Sequence, residues 1–149
     1  MGFQKLSLKG RALRLLSARE HSRAELERKL APHEETPGEL ARALDELQGR
    51  GFISEARVVE SVLYRRAARL GNARLKQELQ AKGISPEAVA EAVDGLRGSE
   101  LERAREVWRR KFGAPAEDAA GRARQMRFLA SRGFGADAIR RVVSGADDD

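Results

Sequence analysis

Apolar residues along this chain recur every three or four positions and almost never alternate, so the pattern predicts helices and no sheet. The stretch LKQELQAKGISPEAVAEAV, Leu75 to Val93, shows how the pattern is built. Leu75 and Leu79 share a face at i,i+4 spacing, Gly83 supplies a left-handed stop, and Ile84 is expected to pack back on the corner. Ser85 and Pro86 restart a helix: the hydroxyl caps open backbone N–H groups, and the proline ring presets φ for the first helical position. Val89 and Val93 carry the apolar stripe onward.

The pattern repeats. A shift of 49 positions lays Leu26, Leu30, Pro37, Leu40, Leu44 and Leu47 on Leu75, Leu79, Pro86, Val89, Val93 and Leu96. A shift of 50 lays Leu79, Gly83, Ile84, Val89 and Val93 on Leu129, Gly133, Phe134, Ile139 and Val143, and Val58 and Val62 on Trp108 and Phe112. Three units of three helices follow, with boundaries at 1–53, 54–98 and 99–149. The helices are expected at about 8–20, 22–31, 37–48, 55–70, 72–82, 86–95, 99–112, 116–131 and 136–144. SRAE at Ser22–Glu25 and SELE at Ser99–Glu102 have the form of capping boxes. A unit of some 50 residues buries too little apolar area to stand alone, so the fold class is all-α, an elongated, curved array of stacked repeats.

Composition narrows the class further. In 149 residues, 41% are hydrophobic and 35% charged, as in a soluble helical protein, and there is no cysteine, so disulfides and thiolate metal sites are excluded. The opening MGFQKLSLKGRALRLLSARE lacks the apolar run of a signal peptide, and no uncharged stretch is long enough to span a bilayer. A cytoplasmic protein without membrane attachment is expected. Gly2 suits myristoylation, but the residues after it favour a plain start.

Charge is banded. Residues 1–19 carry a net +5, 20–55 −4, 56–77 +5, 78–102 −4, 103–132 +6 and 133–149 −2. Basic charge therefore gathers on the opening helix of each unit and spills onto the second helix of the third. Such bands fit a partner of alternating charge or a phosphate backbone, and equally a set of solvated helix faces.

The segments AREHSRAELERKL, LQGRGFISEARVVESVLYRR, LGNARLKQELQAKGI and FLASRGFGADAIRRVV, in this order from Arg11 to Val143, resemble the RecX family, bacterial regulators of the RecA recombinase. The resemblance implies three tandem three-helix repeats and no catalysis. It also implies binding to RecA filaments on DNA, in the helical groove across neighbouring subunits, with suppression of filament growth, strand exchange, ATP hydrolysis and coprotease activity. Arg19, Ser22, Glu25 and Leu26 match the first family motif; Gly51, Phe52 and Ile53 the Gly-aromatic-aliphatic turn; Gly71, Arg74, Leu75, Leu79 and Gly83 the middle motif; Arg132, Gly133 and Phe134 the last. Gly51, Gly83 and Gly133 are expected at positive φ, with Phe52, Ile84 and Phe134 plugging the corners. Where the family usually carries an aspartate, this chain has Ser54 and Glu55; Ser54 is still able to cap the next helix.

The candidate contact residues are cations that the fold does not require. One cluster, with Arg57 just upstream, is Arg65, Arg66, Arg69, Arg74 and Lys76, beside Tyr64. The other is Arg109, Arg110, Lys111, Arg122, Arg124 and Arg127, with Arg132 beyond. Arginine forks suit carboxylates and phosphates alike, so these clusters serve RecA carboxylates or, weakly and without sequence preference, single- or double-stranded DNA. Trp108 and Phe112, four apart, are expected to be core anchors and not base-stacking residues.

Enzyme constellations are missing. His21 and His33 are the only histidines and stand near no nucleophile in an activating motif, no phosphate-binding Gly-rich loop with Lys-Ser/Thr occurs, and no cofactor or metal is expected. Asp45 and Glu46 read as solubilising charge, and the closing ADDD as a frayed acidic end that would at most shield the basic bands. A monomer is expected. Two rivals stand beside the regulator: a plain helical adaptor, and a helix-turn-helix protein reading DNA with residues 86–95. Against the second, that helix carries Glu87, Glu91 and Asp94 where major-groove readers carry arginine, asparagine or glutamine.

Overall fold

The computed structural model describes residues 5–145; Gly2 and the ADDD run lie outside the described residues. Among the described residues there are nine α-helices and no strand: α1 (Leu8–Ala18), α2 (Arg23–Leu30), α3 (Glu39–Gly49), α4 (Glu55–Arg66), α5 (Asn72–Ala81), α6 (Pro86–Leu96), α7 (Glu100–Lys111), α8 (Ala119–Ser131) and α9 (Ala136–Ser144). Short 3-10 turns follow α2 and α6. The helices form three successive units, each closed on its own apolar cluster. Leu26, Leu44 and Leu47 sit at the centre of the first, Val58, Val62 and Leu79 of the second, and Ala104, Leu129 and Phe134 of the third. Each fully buried leucine contributes roughly 1.5–3 kcal/mol over an exposed one, and this burial holds helices too short to persist alone.

Caps and corners set the helix ends. At Ser22–Glu25 the capping box forms, the Ser22 hydroxyl accepting from the Glu25 N–H and the Glu25 carboxylate from the Ser22 N–H, each at 3.0 Å. At Ser99–Glu102 it does not. The Ser99 hydroxyl instead donates to the Leu96 carbonyl and accepts from Arg103 Nε, both at 3.1 Å, and Glu102 pairs with Arg105. Ser54 caps α4 through the Arg57 N–H, and Glu55 reaches forward to the Ser85 N–H (2.6 Å) and hydroxyl (3.0 Å), tying the starts of α4 and α6 together.

Several predicted ends move for identifiable reasons. The first helix stops at Ala18 and not at 20, because Arg19 is extended and sends its guanidinium to the Glu25 carboxylate (2.9 Å). The third starts at Glu39 and not at 37, because Gly38 at φ 87° turns the chain; Pro37 lies outside the helix, whereas its sequence counterpart Pro86 is the first residue of α6. The fourth stops at Arg66, and the eighth starts at Ala119 behind the capping Asp118 side chain.

Gly83 and Gly133 (φ 76° and 88°) end α5 and α8, and the N–H of the following residue returns to the carbonyl of Leu79 or Leu129 at 3.2 Å. Ile84 and Phe134, 6% and 5% exposed, plug those corners. Gly51 is also left-handed (φ 85°), but Phe52 is 42% exposed and does not plug; Ile53, at 5%, takes that place. The expectation failed because Gly51 ends the third helix of its unit, leading out of it, while the other two lie between second and third helices. Trp108 packs against the third core and donates from Nε1 to Gln125 (2.9 Å), while Phe112 meets Phe128 edge to face at 5.5 Å. The deepest side chain of α7 is Ala104, one turn earlier than the shift of 50 suggests.

The two junctions between units follow one plan. The N-terminus of the second helix of one unit seats on the turn that ends the second helix of the next. At the first junction the Ser22 hydroxyl donates to the Lys82 carbonyl, Lys82 Nζ reaches Glu25 (3.4 Å), and a Cβ on Gly83 would lie 2.4 Å from that of Ala24. At the second, the Gly71 N–H donates to the Arg132 carbonyl (2.8 Å) and the Ala73 N–H to that of Gly133 (3.2 Å). An arginine of the next opening helix grips the linker in each case. Arg57 donates to the Glu20 carboxylate (2.8 Å) and the Gly51 carbonyl (2.7 Å), and Arg103 to the carbonyls of Ala67 and Leu70 and to the Asn72 side chain. The carbonyls used are those a helix end leaves open, so each junction satisfies backbone groups that water would otherwise have to serve.

Candidate functional site

The second junction builds a groove ringed by cations. Beyond Arg66, residues 67–70 make a turn, and Arg103 fixes it by donating to its carbonyls while Leu70, 2% exposed, anchors it. Burial lowers the basicity of Arg103, and the nearby Glu100 opposes that loss. Glu100 in turn accepts from the Asn72 N–H (2.7 Å) and the Gly135 N–H (3.4 Å), bracing the same corner from the other side.

The fixed turn places Arg69 at the rim of a groove of about 360 Å³, between the end of α4 and the C-terminal halves of α7 and α8. Ala68, Val107 and Phe128 form an apolar floor, and Arg69, Arg110, Lys111 and Arg132 stand around it. Lys111 Nζ and Arg132 Cζ lie 5.3 and 4.9 Å from the centroid of the Phe128 ring, so one aromatic ring positions two cations. Arg110 shares the Glu106 carboxylate with Arg109, at 3.3 and 2.5 Å. Among the described residues no carboxylate pairs with Arg69, Lys111 or Arg132. The groove thus offers planar and point-charge donors above an apolar floor, an arrangement suited to carboxylates or phosphates carried on a partner.

The structure sorts the cations predicted from sequence. It brings Arg69 from the first cluster together with Arg110, Lys111 and Arg132 from the second, which the sequence separates by some forty to sixty residues. Arg57, Arg66 and Arg74 stand elsewhere, each with a partner: Glu20 for Arg57, Glu78 for Arg66 (3.1 Å), and the Ser131 carbonyl for Arg74 (3.2 Å). Arg65 bonds back to the Ser61 carbonyl (3.2 Å) on an exposed helix face. Arg122, Arg124 and Arg127 are exposed on α8 but do not line the groove, and Lys76 belongs to a different hollow. Tyr64, beside Arg65, is 92% exposed, an aromatic left fully to solvent. Arg103 and Glu106 were not singled out from the sequence. The signal for Arg103 was weak, a single arginine inside an acidic-to-basic transition, because its partners are backbone carbonyls.

A second electrostatic centre lies at the first junction. Glu25 is 5% exposed, and although burial alone would raise its pKa, Arg19, the Ser22 N–H and Lys82 hold it at about 2. His21, 2% exposed, lies between the Arg19 carbonyl (3.1 Å from Nδ1) and Lys29 Nζ (3.1 Å from Nε2). Burial, with Arg19 and Lys29, lowers its pKa, so the ring is neutral with Nδ1–H donating and Nε2 accepting. Among the described residues no three histidine or carboxylate side chains cluster as a metal site, and no helix is long and apolar enough to cross a membrane.

Stacked three-helix units with a cationic groove at their junction define a helical-repeat protein. Comparison with known proteins gives that class a family. Models of the first, second and third three-helix domains of RecX match residues 9–47, 54–93 and 99–143. The chain is 61% identical over 142 residues to the regulatory protein RecX of Leptothrix cholodnii, covering 95% of this chain and 90% of that protein. It is 51% identical to that of Ralstonia nicotianae, covering 97% of this chain and 91% of the relative. The crystal structure of RecX from Lactobacillus salivarius superimposes with a TM-score of 0.77 over 95% of this chain and 96% of that one, at 19% identity. The chain belongs to the RecX family of regulatory proteins.

Proposed function

We propose that this protein regulates the RecA recombinase by binding the RecA–DNA filament as a monomer, seated in the filament groove across neighbouring subunits. There it suppresses filament extension, ATP hydrolysis, strand exchange and coprotease activity, and so modulates DNA repair and the SOS response in the cytoplasm. The observation that carries the reading is the groove at the second junction, where Arg69, Lys111 and Arg132 have no carboxylate partner among the described residues. Units divided near 53/54 and 98/99 and joined head to tail present contacts at regular spacing. Each contact after the first is then effectively intramolecular, and avidity grows without any single strong bond. Direct reading of DNA by α6 is disfavoured, because Glu87, Glu91 and Asp94 are all exposed on it and would face phosphate.

The test is the single-stranded-DNA-dependent ATPase rate of RecA with substoichiometric amounts of this protein, beside its affinity for naked DNA at two salt concentrations. Inhibition well below one molecule per RecA, with weak and salt-sensitive DNA binding, is the expected result. Absence of inhibition, with tight binding to one DNA sequence, would overturn the proposal in favour of a helix-turn-helix DNA reader.

A further inference from the structure

The two junctions share a plan but not a chemistry. At the second, the covalent link stays helical: α6 runs through the 3-10 turn Arg97–Ser99 straight into α7 at Glu100. At the first, α3 and α4 are parted by the left-handed Gly51 (φ 85°) and the extended Ser54 (φ −141°, ψ 117°). A link of this second kind can turn at a few dihedrals, whereas a helical one bends only by breaking its own bonds.

The bonds that cross the junctions differ in the same direction. Across the second, the Gly71 and Ala73 N–H groups donate to carbonyls, Arg103 holds three acceptors of the neighbouring unit, and the backbones of Gly71 and Gly133 touch. Among the described residues no backbone-to-backbone bond crosses the first. Side chains hold it: the Ser22 hydroxyl on the Lys82 carbonyl, Lys82 on Glu25 (3.4 Å) and Arg57 on Glu20 (2.8 Å). Arg57 and Glu20 are 44% and 31% exposed, so water and salt weaken that pair. Lys82 is the looser of the two cations on Glu25; Arg19, within the first unit, lies at 2.9 Å. If Lys82 leaves, Glu25 keeps Arg19 and the Ser22 N–H, and the Ser22 hydroxyl still caps α2. Parting the first junction therefore strands no buried charge.

We propose that the first junction is the joint of the array: the first unit turns as one body about residues 50–54, while the second and third units stay locked backbone to backbone. The capping-box residues Ser22 and Glu25 are its latch. Turning re-aims Arg11 and Arg14 of α1 against the cationic groove, which rides on the fixed pair, so the spacing of two basic surfaces becomes adjustable. The joint is a property of the chain alone and does not depend on the filament reading.

The chain has no cysteine, so pairs of exposed positions accept spin labels. Arg28→Cys with Glu91→Cys spans the first junction, and Glu91→Cys with Arg127→Cys the second. Double electron–electron resonance on the otherwise unaltered chain is expected to give a broader distance distribution for 28–91 than for 91–127. Ser22→Asp keeps an acceptor for the Glu25 N–H but sets a carboxylate against the Lys82 carbonyl, so it caps α2 while breaking the latch. It is expected to lengthen and broaden the 28–91 distance, with the 91–127 distance and the helicity by circular dichroism unchanged. Arg57→Ala with Lys82→Met, which alters no capping side chain, is expected to do the same, and it decides the matter if Ser22→Asp loses helicity. A 28–91 distance that stays fixed in these variants, or a 91–127 distance that moves with it, overturns the joint. So does a 28–91 distribution no broader than the 91–127 one before either change.

Discussion

A Cβ on Gly71 would lie 2.3 Å from the carbonyl carbon and oxygen of Gly133, so the second and third units meet backbone to backbone. No side chain has room to yield there. Gly71→Ala is therefore expected to destabilise the protein by about 3 kcal/mol, at the upper end of the usual range for overpacked cores. It is also expected to weaken filament binding, because Arg69 and Arg132 no longer hold their spacing. Thermal denaturation and co-sedimentation with RecA filaments measure the two effects.

Gly95 gives the contrast. It lies in α6 with nothing within 4 Å of an added Cβ, so Gly95→Ala is expected to stabilise the fold by about 0.5–1 kcal/mol through helix propensity. A lower melting temperature in this variant would contradict the packing described around α6.

The first junction is expected to fail in acid. Glu25 has a folded pKa of about 2 against an ordinary 4.5, so its contribution, roughly 3 kcal/mol, is complete above pH 4.5 and lost as pH falls toward 2. His21 acts in the same direction from a higher pH. Its folded pKa lies below the ordinary 6.5, so the unfolded chain binds the proton first and stability declines as pH drops below 6.5. Glu25→Gln should flatten the lower part of this profile and His21→Asn the upper part, which chemical denaturation across pH 2–8 would show.

Arg103 is a positioning residue for the cationic groove. Arg103→Ala leaves the Ala67 and Leu70 carbonyls without their donor, at an expected cost of about 2–4 kcal/mol. Arg103→Lys keeps the charge but not the fork, and is expected to recover only part of that stability.

The cationic groove is tested by charge reversal. Arg69→Glu with Arg132→Glu is expected to reduce filament affinity by more than tenfold with helicity intact, while Arg122→Glu with Arg127→Glu, on the open face of α8, reduces it only modestly. Equal losses in both pairs, read by co-sedimentation at two salt concentrations, would show that bulk charge and not this groove governs binding.

The helices were legible because local rules made them. Serine caps, left-handed glycines and an apolar stripe of period 3.6 act within four or five residues, and nine helices were expected about where nine are found among the described residues. The sorting of the arginines was not legible. Whether an arginine is structural depends on which carbonyl or carboxylate lies within reach, and Arg57 meets Glu20 across 37 positions while Arg74 meets Ser131 across 57. Gly51 takes the positive φ expected of it, but the role expected of Phe52 falls to Ile53 for a related reason. A Gly-aromatic pair looks the same whether it turns the chain within a unit or leads out of it, and only packing tells Ile53 from Phe52 as the buried partner. Pro37 and Pro86 align in the sequence yet enter their helices differently, because Gly38 at positive φ intervenes in one and not in the other.

The head-to-tail plan of the two junctions bears on self-association. A surface that pairs with a different surface on the next unit has no built-in end and, repeated between molecules, would grow into a fibre. Among the described residues, both outer faces depart from the plan of the two junctions. In the first unit the second helix runs into the 3-10 turn Ala31–His33, without the left-handed glycine that receives Ser22 and Gly71 in the later units. In the third unit the second helix opens on Asp118, whose side chain accepts from the Gly121 N–H at 2.7 Å and so stands where Ser22 and Gly71 stand in the earlier units. Among the described residues, the pairing that joins one unit to the next is thus not reproduced at either outer face, and stacking of the molecule on its own copies lacks the contacts that hold the units together.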